Sequence, residues 1–195
     1  MKANIRKLSG NWDVGYALDK HMLQSTFLGY NALSRPIFDN QRTEAGEAVY
    51  QLKYRSAWDK ATELAEAIKE HIVPLLPDIG LLVPMPASIQ RVRQPVNAIS
   101  SELARLLGLT SFENIIEKAP SATGVQLKNL HTKAEKDAEL VGRFSINDGI
   151  AGTDKWNVLL IDDLFDSGAS MQAATSALRG YVKIDRIMVV ALTWK

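Results

Sequence analysis

The chain has 195 residues, 46% of them apolar, and its 23 Lys and Arg nearly balance 22 Asp and Glu for a formal net charge of +1. This is ample apolar material for one core, and too weak a net field to draw the chain to nucleic acid or an anionic membrane, although a local basic groove stays compatible with it. The lack of cysteine excludes disulfides, thiolate zinc sites and a cysteine nucleophile, and suits a reducing cytosol. No apolar run approaches the ~18 residues that span a bilayer, and the opening MKANIRKLSGNWD lacks the apolar stretch of a signal peptide, so a cytoplasmic protein is expected.

Residues 1–42, with glycines among aromatic and polar residues, read as a small N-terminal elaboration of short strands and turns, GYALDKHM and RPIFDN among them. The rest, 43–195, reads as the main domain. Apolar residues at helical spacing predict helices over 43–55 and 59–72, the second stopped by Pro74 and Pro77. LLVPMP (81–86) is a short buried strand, ASIQRVRQ (87–94) a polar loop, and 95–107 an amphipathic helix ended by Gly108. SFENIIEK (111–118) reads as the next strand, TKAEKDAELV (132–141) as a charged helix, and WNVLLIDDL (156–164) as a strand with an almost continuous apolar body. SMQAATSALRG (170–180) is then a helix and DRIMVVALTW (185–194) a buried strand. Strands of this kind alternating with helices predict an α/β fold, a parallel sheet covered on both faces.

In such a sheet the ligand crevice lies beyond the carboxyl ends of the strands, where Asp162 and Asp163 stand. Successive strand side chains point to opposite faces, so both carboxylates reach one crevice only if the strand has begun to turn. Paired carboxylates suit a sugar diol or a hydrated magnesium ion. Asp166, Ser167, Gly168, Ala169 and Ser170 lead into a helix whose first N–H groups form an anion site. A diol grip beside a phosphate cradle describes a ribose 5-phosphate site; an apolar strand ending in Asp and an ordinary Ser/Asp helix cap describe the same residues without a ligand. A Walker B strand would need a G-x-x-x-x-G-K-[ST] loop, which is absent, and a receiver domain would carry its acids near its first strand.

VLLIDDLFDSGAS (158–170) resembles the PRPP-binding motif of type I phosphoribosyltransferases: four apolar residues, two acids, then a small-residue loop around a glycine. KYRS (53–56), LLVPMPAS (81–88), RVRQPVN (91–97), VQLKNL (125–130) and GRF (142–144) are similar, in the same order, to landmarks of the ComF-like branch. Two departures stand out. The cysteine-rich zinc ribbon that opens many ComF-like proteins is missing, and Gln94-Pro95-Val96 replaces the branch's common Gly-Phe.

The resemblance implies a type I phosphoribosyltransferase-like parallel sheet and a magnesium-dependent transferase, in which pyrophosphate leaves C1 of PRPP as a nitrogenous base attacks. It implies that Asp162 and Asp163 contact the ribose hydroxyls and magnesium-bound water, and that 166–170 surround the 5-phosphate. Pro84, Met85, Pro86, Ala87 and Ser88 would take the pyrophosphate side, aided by Arg91 or Arg93. Asp166 resembles the acid that enzymes of 6-oxopurines hold beside purine N7, which would make it the third catalytic residue; a helix N-cap is the simpler account of the same residue. Residues 119–140 are the candidate closing lid, and their small residues and charges suit a plain surface loop equally. The alternative function is a non-catalytic module of the same fold that senses PRPP or a nucleotide and acts through a protein or nucleic-acid partner. The resemblance leaves a homodimer open. His21, His71 and His131 stand apart from any carboxylate at ligand spacing, the four tryptophans are expected in packing, and the charges of 128–136 in a solvated face.

Overall fold

The computed structural model describes residues 1–195, the side chain of Lys128 excepted, so that part of the 128–136 charge run lies outside the described side chains. Strands β1 (Arg6–Lys7), β2 (Val14–Lys20), β3 (Met22–Tyr30) and β4 (Pro36–Arg42) precede helices α1 (Glu44–Arg55) and α2 (Asp59–His71). There follow β5 (Leu81–Pro84), α3 (Pro95–Leu107), β6 (Thr110–Ser111), β7 (Ile116–Lys118), α4 (Lys133–Leu140), β8 (Phe144–Ile146), β9 (Trp156–Phe165), α5 (Ala169–Arg179) and β10 (Ile184–Trp194). The main sheet has the order β1-β2-β10-β9-β5-β6, all parallel except β1. Two-stranded sheets β3-β4 and β7-β8 stand apart from it.

Helix boundaries follow local chemistry. Thr43 caps α1 by accepting the Gly46 N–H at 2.9 Å, with Glu44 and Glu47 in the first turn and Lys53 and Arg55 in the last, the polarity the helix dipole favours. Pro95 opens α3 and Gly108, at φ 69°, ends it. One face of the sheet buries Leu159, Ile161 and Val190 against Leu52, Leu64, Ile68, Ile99 and Leu103 of α1, α2 and α3. The other buries Val158, Leu160 and Val189 against Met171 and Leu178 of α5. The central strands are therefore apolar on both sides, as covered parallel strands must be.

Two expectations change. The N-terminal residues do not all form an appendage: β2 pairs with β10 from Val14↔Met188 to Lys20↔Trp194 and so belongs to the main sheet, whereas β3 and β4 leave it as a hairpin. And 111–118 is not one strand. After the Phe112 N–H donates to Leu82, the Glu113 carboxylate accepts from Asn97 at 2.7 Å and from Ser101 at 3.2 Å, which draws the chain toward α3 and ends the parallel pairing. The chain resumes as β7, antiparallel to β8, and these two strands are the base from which 119–143 departs and returns. Among the described residues no helix is long and apolar enough to cross a membrane.

Candidate functional site

From β5 the chain goes outward to β6, and from β9 the other way through α5 to β10, so the strand order reverses between β5 and β9. A crevice opens beyond the carboxyl ends of strands at such a point. Here it holds two adjoining clefts of about 200 and 370 Å³ that share Lys53, Ser88, Asp162, Asp163 and Ser170. The first extends along Met85, Pro86, Ala87 and Arg91 to Lys118; the second along Asp166, Ser167, Gly168 and Ala169 to Lys136 and Lys195.

β9 does not turn at its acids. Pairing with β10 continues through Asp162↔Ala191 and Leu164↔Thr193 to Phe165↔Trp194. The carboxylates therefore keep the alternation of the strand. Asp163 continues the row of Leu159 and Ile161 and meets Lys53 of α1 at 2.6 Å; Asp162 continues the row of Val158 and Leu160, on the face of α5. Both still border the shared crevice, because β9 has no neighbour on the β5 side beyond Ile161.

Their electrostatics differ accordingly. Burial, and then the charge of Asp163, push the Asp162 carboxyl up to about 7, with Lys53 and Lys118 pulling the other way. Asp162 Oδ1 accepts the Asp163 N–H at 2.8 Å. Burial disfavours the Lys53 ammonium, yet the adjacent Asp163 outweighs it and holds Lys53 above its ordinary value. The carbonyl of Asp163 is fixed from behind by the buried Thr193, whose hydroxyl donates to it at 2.8 Å. That hydroxyl has spent its only proton, so the contact of His21 Nδ1 with Thr193 Oγ1 at 3.0 Å requires the proton on Nδ1. Burial, with Arg42 and Lys53 nearby, keeps that ring below its ordinary pKa.

The 166–170 loop is built around Gly168, the residue before α5, at φ 79°. A Cβ there would lie 2.9 Å from the Phe165 ring, so the glycine serves the packing of the loop as well as its dihedral. Gly168 has no side chain with which to cap α5, and the Ser167 hydroxyl accepts the Ala169 N–H only at 3.5 Å. Asp166 is consequently not its N-cap. It is half-exposed, borders the second cleft and pairs with Lys136 of α4 at 2.6 Å, an interaction that holds its carboxyl below the ordinary range.

Most residues expected at the site converge on it. Pro84 does not line either cleft: it is buried inside β5. Arg93 lies over the Trp58 ring at 4.3 Å, away from the clefts, while Arg91 borders the first. Four lysines join them that sequence reasoning does not single out. Lys53 stands in the KYRS landmark without a role of its own there. Lys118 donates to Ser88 Oγ at 3.0 Å, and burial, then Arg143, lower its pKa against the pull of Asp162. Lys136 belongs to the run expected in solvent, yet its side chain is only 13% exposed. Lys195 is tied in through its N–H to the Phe165 carbonyl at 3.0 Å. Only the i, i+4 spacing of Lys136 from Leu140, a buried residue at the end of an amphipathic turn, could have hinted at its inward position.

Segment 119–143 is cross-braced: Ser121, Thr123 and Arg143 all converge on Glu139, and Thr132 with Glu135 forms a capping box at the start of α4. The Lys136–Asp166 pair ties it to the loop before α5.

No protein-family model matches the sequence, and no curated protein matches it. Among solved structures the chain is similar to the adenine phosphoribosyltransferase of Saccharomyces cerevisiae complexed with an imino-altritol bisphosphate and adenine, at 14% identity over 89% of this chain and 85% of that one, TM-score 0.46. It is similar as well to a second adenine phosphoribosyltransferase, at 16% identity over 87% and 86%, TM-score 0.43. The enzyme of that name from Thermoanaerobacter pseudethanolicus is a third, at 16% over 89% and 96%, TM-score 0.42.

Proposed function

We propose that the chain is a magnesium-dependent phosphoribosyltransferase of type I, nearest the ComF-like branch, which binds PRPP across the β5/β9 crevice and passes its phosphoribosyl group to a nitrogenous base. The observation that carries this reading is the acid pair at the end of β9, at the reversal of strand order, followed directly by a loop opening onto the start of α5. A diol and a 5-phosphate need those two sites a few residues apart.

In this reading Asp162 and Asp163 accept from the ribose hydroxyls, and the loop 166–170 with the first N–H groups of α5 receives the 5-phosphate. Met85, Pro86, Ala87, Ser88 and Arg91 border the cleft for the pyrophosphate, with Lys53 and Lys118 at its walls. The C1–O bond to pyrophosphate breaks as the C1–N bond to the base forms. Fixed cations beside the leaving oxygens stabilise the charge that develops there. Asp166 faces the acceptor, for which a purine is the first candidate, and accepts its proton once released from Lys136. Segment 119–140 closes over the crevice to exclude water.

The donor set suits magnesium. Among the described residues no group of three or more His, Cys, Asp or Glu could cage a metal, and the two carboxylates at hand match an ion held chiefly by water and substrate oxygens. A cation there would also favour the ionised form of Asp162, which burial and then the charge of Asp163 disfavour. When bound, magnesium supplies neutralisation of the pyrophosphate charge.

The test is a thermal shift with Mg-PRPP, followed by pyrophosphate release with a panel of bases. A shift and base-dependent release support the transferase. A shift without release with any base assigns the chain to sensing, and no shift at millimolar PRPP refutes the site.

A further inference from the structure

The hairpin β3-β4 leaves the sheet as an arm that touches little else. Its root is fixed: Thr43 Oγ1 donates to the Lys20 carbonyl at 2.6 Å, and the His21 N–H donates to the Trp194 carbonyl at 2.8 Å. Beyond the root, the nine residues of β3 and seven of β4 pair only with each other. A two-stranded ribbon of that kind is marginal in water by itself.

Its surface is that of an interface. Leu23, Phe27, Leu28, Tyr30, Leu33 and Phe38 are 48% to 73% exposed. Phe27 sits directly opposite Phe38, the ring centroids 5.6 Å apart, and Tyr30 packs edge-on against Phe27 at 5.2 Å, so three aromatic rings form one cluster with no core beneath it. At roughly 200 Å² for a fully exposed side chain of this size, the six present on the order of 700 Å², close to the ~800 Å² each partner contributes to a standard interface.

We propose that this arm is the surface through which the chain pairs with a second copy of itself. Charge decides the kind of partner. From Met22 to Ser34 there is no ionisable side chain apart from the Tyr30 phenol, and β4 adds only Arg35, just before it, Asp39 within it and Arg42 at its root. So few charges, of both signs, offer nothing to select a nucleic acid, an anionic membrane or a strongly charged protein. They suit an isologous contact, in which the same patch meets itself and neither like-charge repulsion nor burial of unpaired charge opposes association. β2 runs parallel to β10 and ends beside Trp194, so the arm departs from the edge of the sheet that carries the acid pair, and the second copy stands at that edge. This inference is independent of the reaction proposed above.

The experiment is sedimentation equilibrium of the full chain at micromolar concentration, with far-UV circular dichroism as a control. The parent is expected at twice 21.6 kDa, and both Phe27→Ser/Phe38→Ser and Leu33→Asp are expected to shift it to a single copy, weakening association at least tenfold, with unchanged helix signal. These side chains are exposed and leave the core untouched. A monomeric parent overturns the proposal, as does a dimer that persists in both variants. Flotation of a monomeric parent with neutral phosphatidylcholine vesicles overturns it in favour of a lipid surface.

Discussion

Replacing Asp162 with Asn is expected to stabilise the ligand-free protein at pH 8 while removing its response to Mg-PRPP. The sign follows from linkage. The folded-state pKa of about 7 lies above the ordinary 3.8, so the native state holds a proton that the unfolded chain has lost between those values. The stabilisation that protonated Asp162 enjoys is complete below pH 3.8, and is lost as the pH rises through 7. About three pH units at 1.36 kcal/mol each set a ceiling near 4 kcal/mol, and on the order of 2–4 kcal/mol is expected. Asn carries no charge to bury, and its oxygen can still accept the Asp163 N–H. At ~2–4 °C per kcal/mol for a chain of this size, the variant's Tm should exceed the parent's by about 5–10 °C at pH 8 and by almost nothing near pH 4. The assay is thermal unfolding between pH 4 and 8, with and without Mg-PRPP. A ligand at 100 times its Kd adds about 2.7 kcal/mol to the parent, a gain that the Asp162→Asn variant should forfeit. Parallel pH profiles for the two proteins would refute the electrostatic argument; an equal ligand shift in both would refute the site.

Three further substitutions probe its surroundings. Lys53→Met strands Asp163 beside the raised Asp162 without its partner, and urea denaturation at pH 8 should record a loss on the order of 2–3 kcal/mol; an unchanged midpoint would show that solvent already carries the Asp163 charge. Gly168→Val places a branched side chain at φ 79° and against Phe165, so a destabilisation of about 1–3 kcal/mol is expected together with weaker binding of ribose 5-phosphate by titration, and a variant of parental Tm contradicts the strain. Asp166→Asn breaks the ion pair with Lys136, which is half-exposed on the acid side and worth less than ~1 kcal/mol, so Tm should hardly move. Turnover with a purine should fall roughly 10²-fold or more if the carboxyl handles the base proton, and an unaltered rate removes Asp166 from the chemistry.

Periodicity reaches far into this fold because its central strands and helices announce themselves locally: α1, α2, α3 and α5 begin and end within a few residues of their caps, prolines and glycines. What local pattern lacks is pairing at a distance. Nothing in VGYALDK reveals that it lies beside the last strand of the chain, and nothing in SFENIIEK reveals that Asn97 and Ser101, on a preceding helix, would capture Glu113 and divide the run. The acid pair is legible as a pair, but its cations are not. Lys53 and Lys136 approach Asp163 and Asp166 from helices 110 and 30 positions away in sequence, and each lysine taken alone reads as ordinary surface charge.

The crevice itself has a cause in two residues that look merely structural. Pro84 ends β5, the Met85 N–H donates to the Ile161 carbonyl at 2.8 Å, and Pro86 follows with no N–H to donate. The ladder to β9 therefore stops at the residue before Asp162, while on the other side β10 keeps β9 extended for four residues more. A strand paired on one side only presents its free edge, and side chains of both faces, to the gap left by the departing chain. That is how two carboxylates pointing to opposite faces of a sheet border one crevice without the bend the alternation rule seemed to demand. It also separates their surroundings: the face of α1 brings Lys53 to Asp163 within contact, whereas Asp162, on the face of α5, is partly buried with no cation in contact with it among the described residues.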